Sequence, residues 1–166
     1  MATLADVFRV LNRLVEDGVI GDYAVAGGMA FLFYAEPART YDLDVFVFLP
    51  PQEGSIVSMR PLYSALRARG YEFDAEHVMI HETPVQFIPA YNALAEEAVD
   101  KAKAHEYEAV PVRVIGPEHL IALAYQTGGS HRLERAVALL KQAGRVDQGK
   151  LRAILAAHQI AVPPEI

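Results

Sequence analysis

Two aspartates separated by one apolar residue, Asp42-Leu43-Asp44, follow a paired glycine, Gly27-Gly28, and Val45 continues the alternation. In an extended strand successive side chains point to opposite faces. Asp42 and Asp44 then project to one side, while Leu43 and Val45 turn into apolar packing. Two adjacent carboxylates repel, a cost that is hard to explain on a buried strand of an ordinary scaffold. A divalent hard cation removes it, because Mg²⁺ takes oxygen ligands and shares them with substrate phosphates. The glycines supply the other half of such a site. A helix opening at Met29 would present unpaired backbone N–H groups, and the missing Cβ atoms would let a triphosphate approach them. Asp42 and Asp44 are therefore the candidate metal ligands and catalytic carboxylates, with Gly27 and Gly28 as nucleotide contacts. A glycine pair alone would signify only a tight strand-to-helix turn; its union with the spaced aspartates favours the nucleotide.

These residues need a strand, a tight turn, a helix and a second strand to bring them together, and the pattern supplies them in that order. Tyr23 to Ala26 reads as a strand, Met29 to about Tyr34 as a helix, and Leu43 to Phe48 as the next strand. Ahead of them, Leu4, Val7, Phe8, Leu11, Leu14 and Val15 fall on one face of an amphipathic helix. Beyond the break at Pro50 to Gly54, Met59, Leu62, Tyr63 and Leu66 recur at helical spacing up to Gly70. His77 to Ile80 and Val85 to Ile88 flank Glu82-Thr83-Pro84, which reads as a hairpin turn. A helix from about Asn92 to Lys103 and a last strand from Val110 to Ile115 follow. From Pro117 the pattern is helical, with a break at Gly128-Gly129 and amphipathic segments from about His131 to Gln142 and Asp147 to His158. The expected class is α/β (α+β), one mixed sheet flanked by helices, with residues 1–116 as a core and 117–166 as a helical extension packed on it.

The chain has 166 residues, 52% of them hydrophobic, enough for a sizeable core in one compact unit. Cysteine is absent, which removes disulfides and thiolate zinc sites. The histidines at 77, 81, 105, 119, 131 and 158 show no HxxxH or similar ligand spacing, so zinc is not expected. No apolar run is long enough to span a bilayer and no signal peptide is visible, which points to a cytoplasmic protein without a membrane partner. The net charge of −6 argues against broad electrostatic attachment to nucleic acid.

Ala26-Gly27-Gly28 and Asp42-Leu43-Asp44-Val45 resemble the motif of the DNA polymerase β-like nucleotidyltransferase superfamily: an apolar residue, Gly, Gly or Ser, a spacer, then Asp-apolar-Asp/Glu-apolar. The resemblance implies a nucleotidyltransferase fold, Mg²⁺ (or Mn²⁺) as cofactor, and a nucleoside triphosphate as substrate. It also implies a third carboxylate between two apolar residues of a later strand. Position 86, between Val85 and Phe87, has that pattern and holds Gln. Gln86 offers a carbonyl oxygen but neither charge nor basicity, so the nucleophile-side metal of a two-metal site should be weak there. As a packed, hydrogen-bonded strand residue Gln86 would need no catalytic role. Val85 to Leu94, Glu96-Glu97-Ala98 and Pro117 to Ala122 are similar to a branch of small bacterial nucleotidyltransferase-like proteins (MNT/AbiEii-like), which also tends to carry Gln at this position. That branch usually has a Gly-Arg-x-Lys-Asp-x-x-Arg segment; here Gly128 and Arg135 keep their types, while the Lys and Asp positions hold His131 and Arg132.

Arg39 and Thr40 stand just before the aspartates, either as phosphate contacts or, for Arg39, as a structural counter-ion to two acids. Arg132, Arg135, Lys141, Arg145, Lys150 and Arg152 make the C-terminal part locally basic, as a surface for RNA or as a solvated helix face. Two functional expectations result. One is transfer of a nucleotidyl group to a hydroxyl of a protein, RNA or small molecule; whether the chain is catalytic turns on Gln86. The other is a catalytically degenerate binding module, part of a toxin–antitoxin-like pair with a partner protein.

Overall fold

The computed structural model describes residues 3–30, 33–34, 42–52, 57–128 and 131–162, with the side chains of 131–133, 135 and 136 left aside. The elements are α1 (Leu4–Glu16), β1 (Asp22–Ala26), α2 (Gly27–Ala30), β2 (Leu43–Phe48), α3 (Arg60–Ala68), β3 (Glu72–Asp74), β4 (His77–Ile80), β5 (Thr83–Pro89), α4 (Ala93–Asp100), β6 (Lys103–Tyr107), β7 (Val110–Val114), α5 (Pro117–Thr127), α6 (His131–Gln142) and α7 (Gln148–Ala157). The strands form one seven-stranded mixed sheet in the order β3-β4-β5-β2-β1-β7-β6. β2 runs antiparallel to β1 and parallel to β5, and β7 runs parallel to β1. Helices flank the sheet, α1 against β1 and β7 and α4 against β1 and β2. This is the mixed, helix-flanked α/β class expected from the sequence.

The apolar period of α1 is realised as a buried stripe of Ala5, Val7, Phe8, Leu11 and Leu14. Asn12 fastens that helix to the sheet: its Oδ1 accepts a 2.7 Å hydrogen bond from the Tyr23 hydroxyl, and its Nδ2 donates to the Pro111 carbonyl at 2.7 Å. Burial, the main cause, pushes the Tyr23 phenol up to about 12, so it remains a donor. In the middle of the sheet Leu43 and Val45 are fully buried, as the alternation of β2 demands.

Three boundaries differ most from expectation. The β4–β5 turn is His81-Glu82, with φ of 47° and 68°, not Glu82-Thr83-Pro84. Two consecutive left-handed residues match the natural twist of a hairpin even without glycine. Pro84 instead lies within β5, opposite Met79 and one residue before the pairing with β2 begins at Val85, so its missing N–H costs little. The helix expected to reach Lys103 ends at Asp100, and Lys103–Tyr107 forms the edge strand β6. Its polar residues suit an edge, and its turn, Glu108-Ala109, is again left-handed without glycine (φ 48° and 66°). Finally, the helix expected at Met29 begins at Gly27 and is described to Ala30; residues 31–32 lie outside the described set.

The last three helices join the same apolar core through Leu120, Ile121, Leu140, Leu151 and Leu155. One polar cluster ties α4 to the segment that follows β7. Glu97 Oε2 accepts hydrogen bonds from His119 Nε2 at 3.0 Å and His158 Nε2 at 2.9 Å. Burial pushes the Glu97 carboxyl up, but the bonds from His158 and His119 outweigh it and hold the group below its ordinary range. Burial also lowers His119, which keeps its ring neutral, with the Glu97 carboxylate partly opposing the shift.

Candidate functional site

The paired strands bring the glycine turn and the aspartates to one end of the sheet. Ala26, the last residue of β1, pairs with Asp44 near the start of β2, and Asp44 pairs in turn with Gln86 of β5. Residues paired across neighbouring strands share a face, so Gln86 stands beside Asp44 on its own side of the sheet. Position 86, for which the resemblance implied a carboxylate, thus stands beside Asp44. Asp42 lies just outside the strand with its side chain 57% exposed.

Gly27 decides how closely the turn approaches Asp44. Its φ is +59°, and a Cβ built there would stand 2.5 Å from Asp44 Oδ2 and 3.3 Å from Asp44 Cβ and Cγ. Any larger residue would displace the carboxylate, so glycine is required for this packing as well as for its left-handed backbone. Asp44 is also electrostatically strained. Burial pushes its carboxyl above the usual range and the neighbouring Asp42 adds to the shift, while His77 pulls it back.

His77 is a component that the sequence pattern did not reveal. Its Nε2 lies 3.8 Å from Asp42 Oδ2, although the residue belongs to β4, two strands from β2. The register explains the approach: Val78 pairs with Val85, so His77, one step earlier, stands opposite Gln86. A turn centred on Thr83 would have put His77 opposite Pro89 instead. Only the two-residue turn at His81-Glu82 brings the imidazole to the aspartates. Glu72 and Asp74, other acids of this region, lie on the outermost strand β3, and Glu82 lies in the β4–β5 turn. Arg39 and Thr40 lie outside the described residues.

The donor set suits a divalent cation in chemistry. Two carboxylates influence each other, one of them half-buried and raised by its surroundings, and that one packs directly against a glycine. Among the described residues no group of three or more histidine, aspartate or glutamate side chains could hold a metal ion. Among the described residues no helix is long and apolar enough to cross a membrane.

No family model matches the chain, and no curated protein does. Solved structures do. The antibiotic-resistance factor ANT(2'')-Ia in solution matches at a TM-score of 0.53 and 16% identity, over 93% of this chain and 90% of the other. The crystal structure of ANT(2'')-Ia with adenylyl-2''-tobramycin matches at 0.54 and 15% identity, over 95% and 98% of the two chains. An antigenic nucleotidyltransferase-like protein from Paracoccidioides brasiliensis matches at 0.54 and 17% identity, over 93% and 86%. At such identities the likeness is one of architecture, and it extends over nearly the whole chain: the protein has the nucleotidyltransferase fold.

Proposed function

We propose that the Gly27/Asp44 end of the sheet binds a nucleoside triphosphate with Mg²⁺ or Mn²⁺ and transfers a nucleotidyl group to a hydroxyl acceptor. The observation that carries this reading is the half-buried Asp44, pressed against a glycine that must be glycine, with Asp42 beside it, in a nucleotidyltransferase fold. A bound metal would supply charge neutralisation for the phosphates and the leaving pyrophosphate. The chain's own residues hold and orient. Asp42 and Asp44 would ligate the ion, and Gly27 and Gly28 would let the phosphates lie against the turn. Arg39 and Thr40 are proposed as further phosphate contacts from the segment before Asp42. Gln86 can accept or donate a hydrogen bond beside Asp44 but cannot take a proton from the acceptor.

The acceptor is proposed to be a small molecule in preference to a protein or RNA, a choice supported by the adenylyl-2''-tobramycin complex of the structural neighbour ANT(2'')-Ia. We place the protein in the cytoplasm and in the MNT/AbiEii-like branch, with residues 117–166 as a helical extension of the 1–116 core. A second reading is favoured by one observation, the amide in place of a carboxylate at position 86, directly beside Asp44. It makes the chain a degenerate binding module that keeps the nucleotide site and acts through a partner protein, as in a toxin–antitoxin-like pair.

Calorimetric titration with each nucleoside triphosphate, with and without Mg²⁺, tests the site without knowledge of the acceptor. Metal-dependent binding of at least one triphosphate is expected, and it should vanish in the Asp42→Asn/Asp44→Asn double variant while the fold persists. Unchanged binding in that variant would refute the assignment. Robust transfer by the purified protein would exclude the degenerate reading.

A further inference from the structure

We infer that the acceptor lies on the open sheet face beside Asp44, and that it carries at least two amino groups besides its hydroxyl. The inference rests on the proposed nucleotidyl transfer at Asp42 and Asp44 and names the class of molecule that receives the group. Register places a row of polar side chains across four strands on one face: Asp44 on β2, Gln86 on β5, His77 on β4 and Asp74 on β3. Glu72, two residues from Asp74, shares that face. Three strand spacings separate the first member of the row from the last, about 14 Å. Burial alternates along these strands and shows which face is covered. Val78, Ile80, Val85 and Phe87 of the opposite face are buried, and Tyr63 and Arg67 of α3 lie against Phe73 there. On the face of the row Gln86 and His77 are half-buried, and Glu72 and Asp74 are exposed. This face is thus an open shelf whose inner end is the carboxylate pair.

Charge selects what the shelf can hold. The strands β2, β3, β4 and β5 contain no Lys or Arg, and from Gly70 to Asp100 the chain has seven Asp and Glu residues and again no Lys or Arg. Cations of the adjoining helix are engaged elsewhere: Arg67 lies 4.4 Å from the centre of the Phe73 ring on the other face, and just beyond α3 Arg69 pairs with Asp17 at 2.7 Å. A phosphate-rich acceptor such as RNA would be repelled along the shelf, and a neutral polyol would gain nothing from Glu72 and Asp74. An acceptor with its hydroxyl at Asp44 and two ammonium groups about 7 Å apart at the outer end meets opposite charge on both. The Tyr91 ring, 56% exposed and edge-to-face with Phe46 on the same side of the sheet, adds an aromatic surface on which a ring or an ammonium can rest. In the transfer the acceptor oxygen bonds to the α-phosphorus, the bond to pyrophosphate breaks, and the hydroxyl proton leaves to solvent; the amino groups serve binding alone. The plain alternative is that Glu72 and Asp74 only keep the edge strand β3 solvated and unpaired, which predicts no preference for amines.

Spermine is the probe, used with the whole chain in the absence of nucleotide, and its fully N-acetylated, uncharged form is the control. In nuclear magnetic resonance spectra spermine is expected to shift the amide signals of β3, β4 and β5. Calorimetry should show binding that weakens at least tenfold on acetylation and about tenfold in Glu72→Gln/Asp74→Asn, each exposed ion pair counting for about threefold. Binding of ATP with Mg²⁺ should be the same in that variant as in the wild type. No binding of spermine, shifts confined to other elements, or equal affinity in the double variant would overturn the acceptor assignment and, with ATP still bound, leave the Asp42/Asp44 site standing. A wild type that binds no triphosphate would overturn the reading on which the assignment rests. Should the double variant fail to fold, the wild-type shifts and the acetylated control decide.

Discussion

Replacing Gly27 by alanine tests whether the glycine turn and Asp44 form one unit. The backbone at residue 27 has φ of +59°, and holding an L-residue there costs about 1–2 kcal/mol. The new Cβ would meet Asp44 Oδ2 at 2.5 Å, so the carboxylate must rotate away, and Asp44 Cβ and Cγ, both at 3.3 Å, must yield by a few tenths of an ångström. Together these effects amount to about 2–3 kcal/mol, which for a chain of this size lowers Tm by about 4–10 °C. Scanning calorimetry of Gly27→Ala, Asp44→Ala and the double variant gives the coupling. In the Asp44→Ala background the Oδ2 and Cγ contacts are gone, so the cost of the second substitution should fall towards the backbone component alone, about 1–2 kcal/mol. Metal-dependent triphosphate binding should be lost in Gly27→Ala even below its Tm, because Asp44 is displaced. A Gly27→Ala protein that melts with the wild type, or a cost identical in both backgrounds, would refute the proposed contact.

Three further outcomes are expected. Asp44→Asn should stabilise the metal-free protein: two carboxylates two residues apart on a strand stand about 6.6 Å from each other and repel by about 1 kcal/mol once the exposure of Asp42 is allowed for, so urea denaturation should show a higher midpoint. A lower midpoint would mean that Asp44 is held by favourable contacts in the folded state. Gln86→Asp should strengthen binding of a second Mg²⁺ and raise any transferase activity, measured by titration and by release of pyrophosphate; no change in either would count against position 86 as part of the site. Stability should also fall as pH is lowered from 7. Glu97 is held below its ordinary value, so its contribution is present above the unfolded carboxyl value and lost as pH falls through the folded one; His119 is lowered too, so the unfolded state takes up its proton first, from about pH 6.5 downward. Urea midpoints across pH 4 to 8 check this, and His119→Gln should flatten the upper part of the curve.

Much of the positioning frame was legible because it depends on local patterns. The alternation of Leu43 and Val45 with Asp44 gave the strand, its buried side and its carboxylate side, and the bounds of β2 agree with the expectation residue for residue. The α1 stripe was equally plain, since a period of 3.6 needs no tertiary information. What escaped was turn geometry without turn residues. His81-Glu82 and Glu108-Ala109 take left-handed conformations that sequence signals assign to glycine or asparagine, so the expected first hairpin had its turn misplaced and the second went unseen. The first error shifted the register of β4 against β5 and concealed His77; the second concealed β6. Likewise the meeting of Glu97 with His119 and His158 spans 22 and 61 residues of sequence, and no local spacing announces it.

The row from Asp44 through Gln86 to His77 bears on how such a chain can change over generations. Adjacent strands lie about 4.8 Å apart, less than the reach of an imidazole or a carboxylate on a longer stem. A functional group lost at one rung can thus be replaced by a substitution on the neighbouring rung while every backbone atom stays in place. Position 86, taken alone, records only an amide beside Asp44. The rung set is a spatial unit whose inventory is read across the strands, at right angles to the direction in which the chain is written.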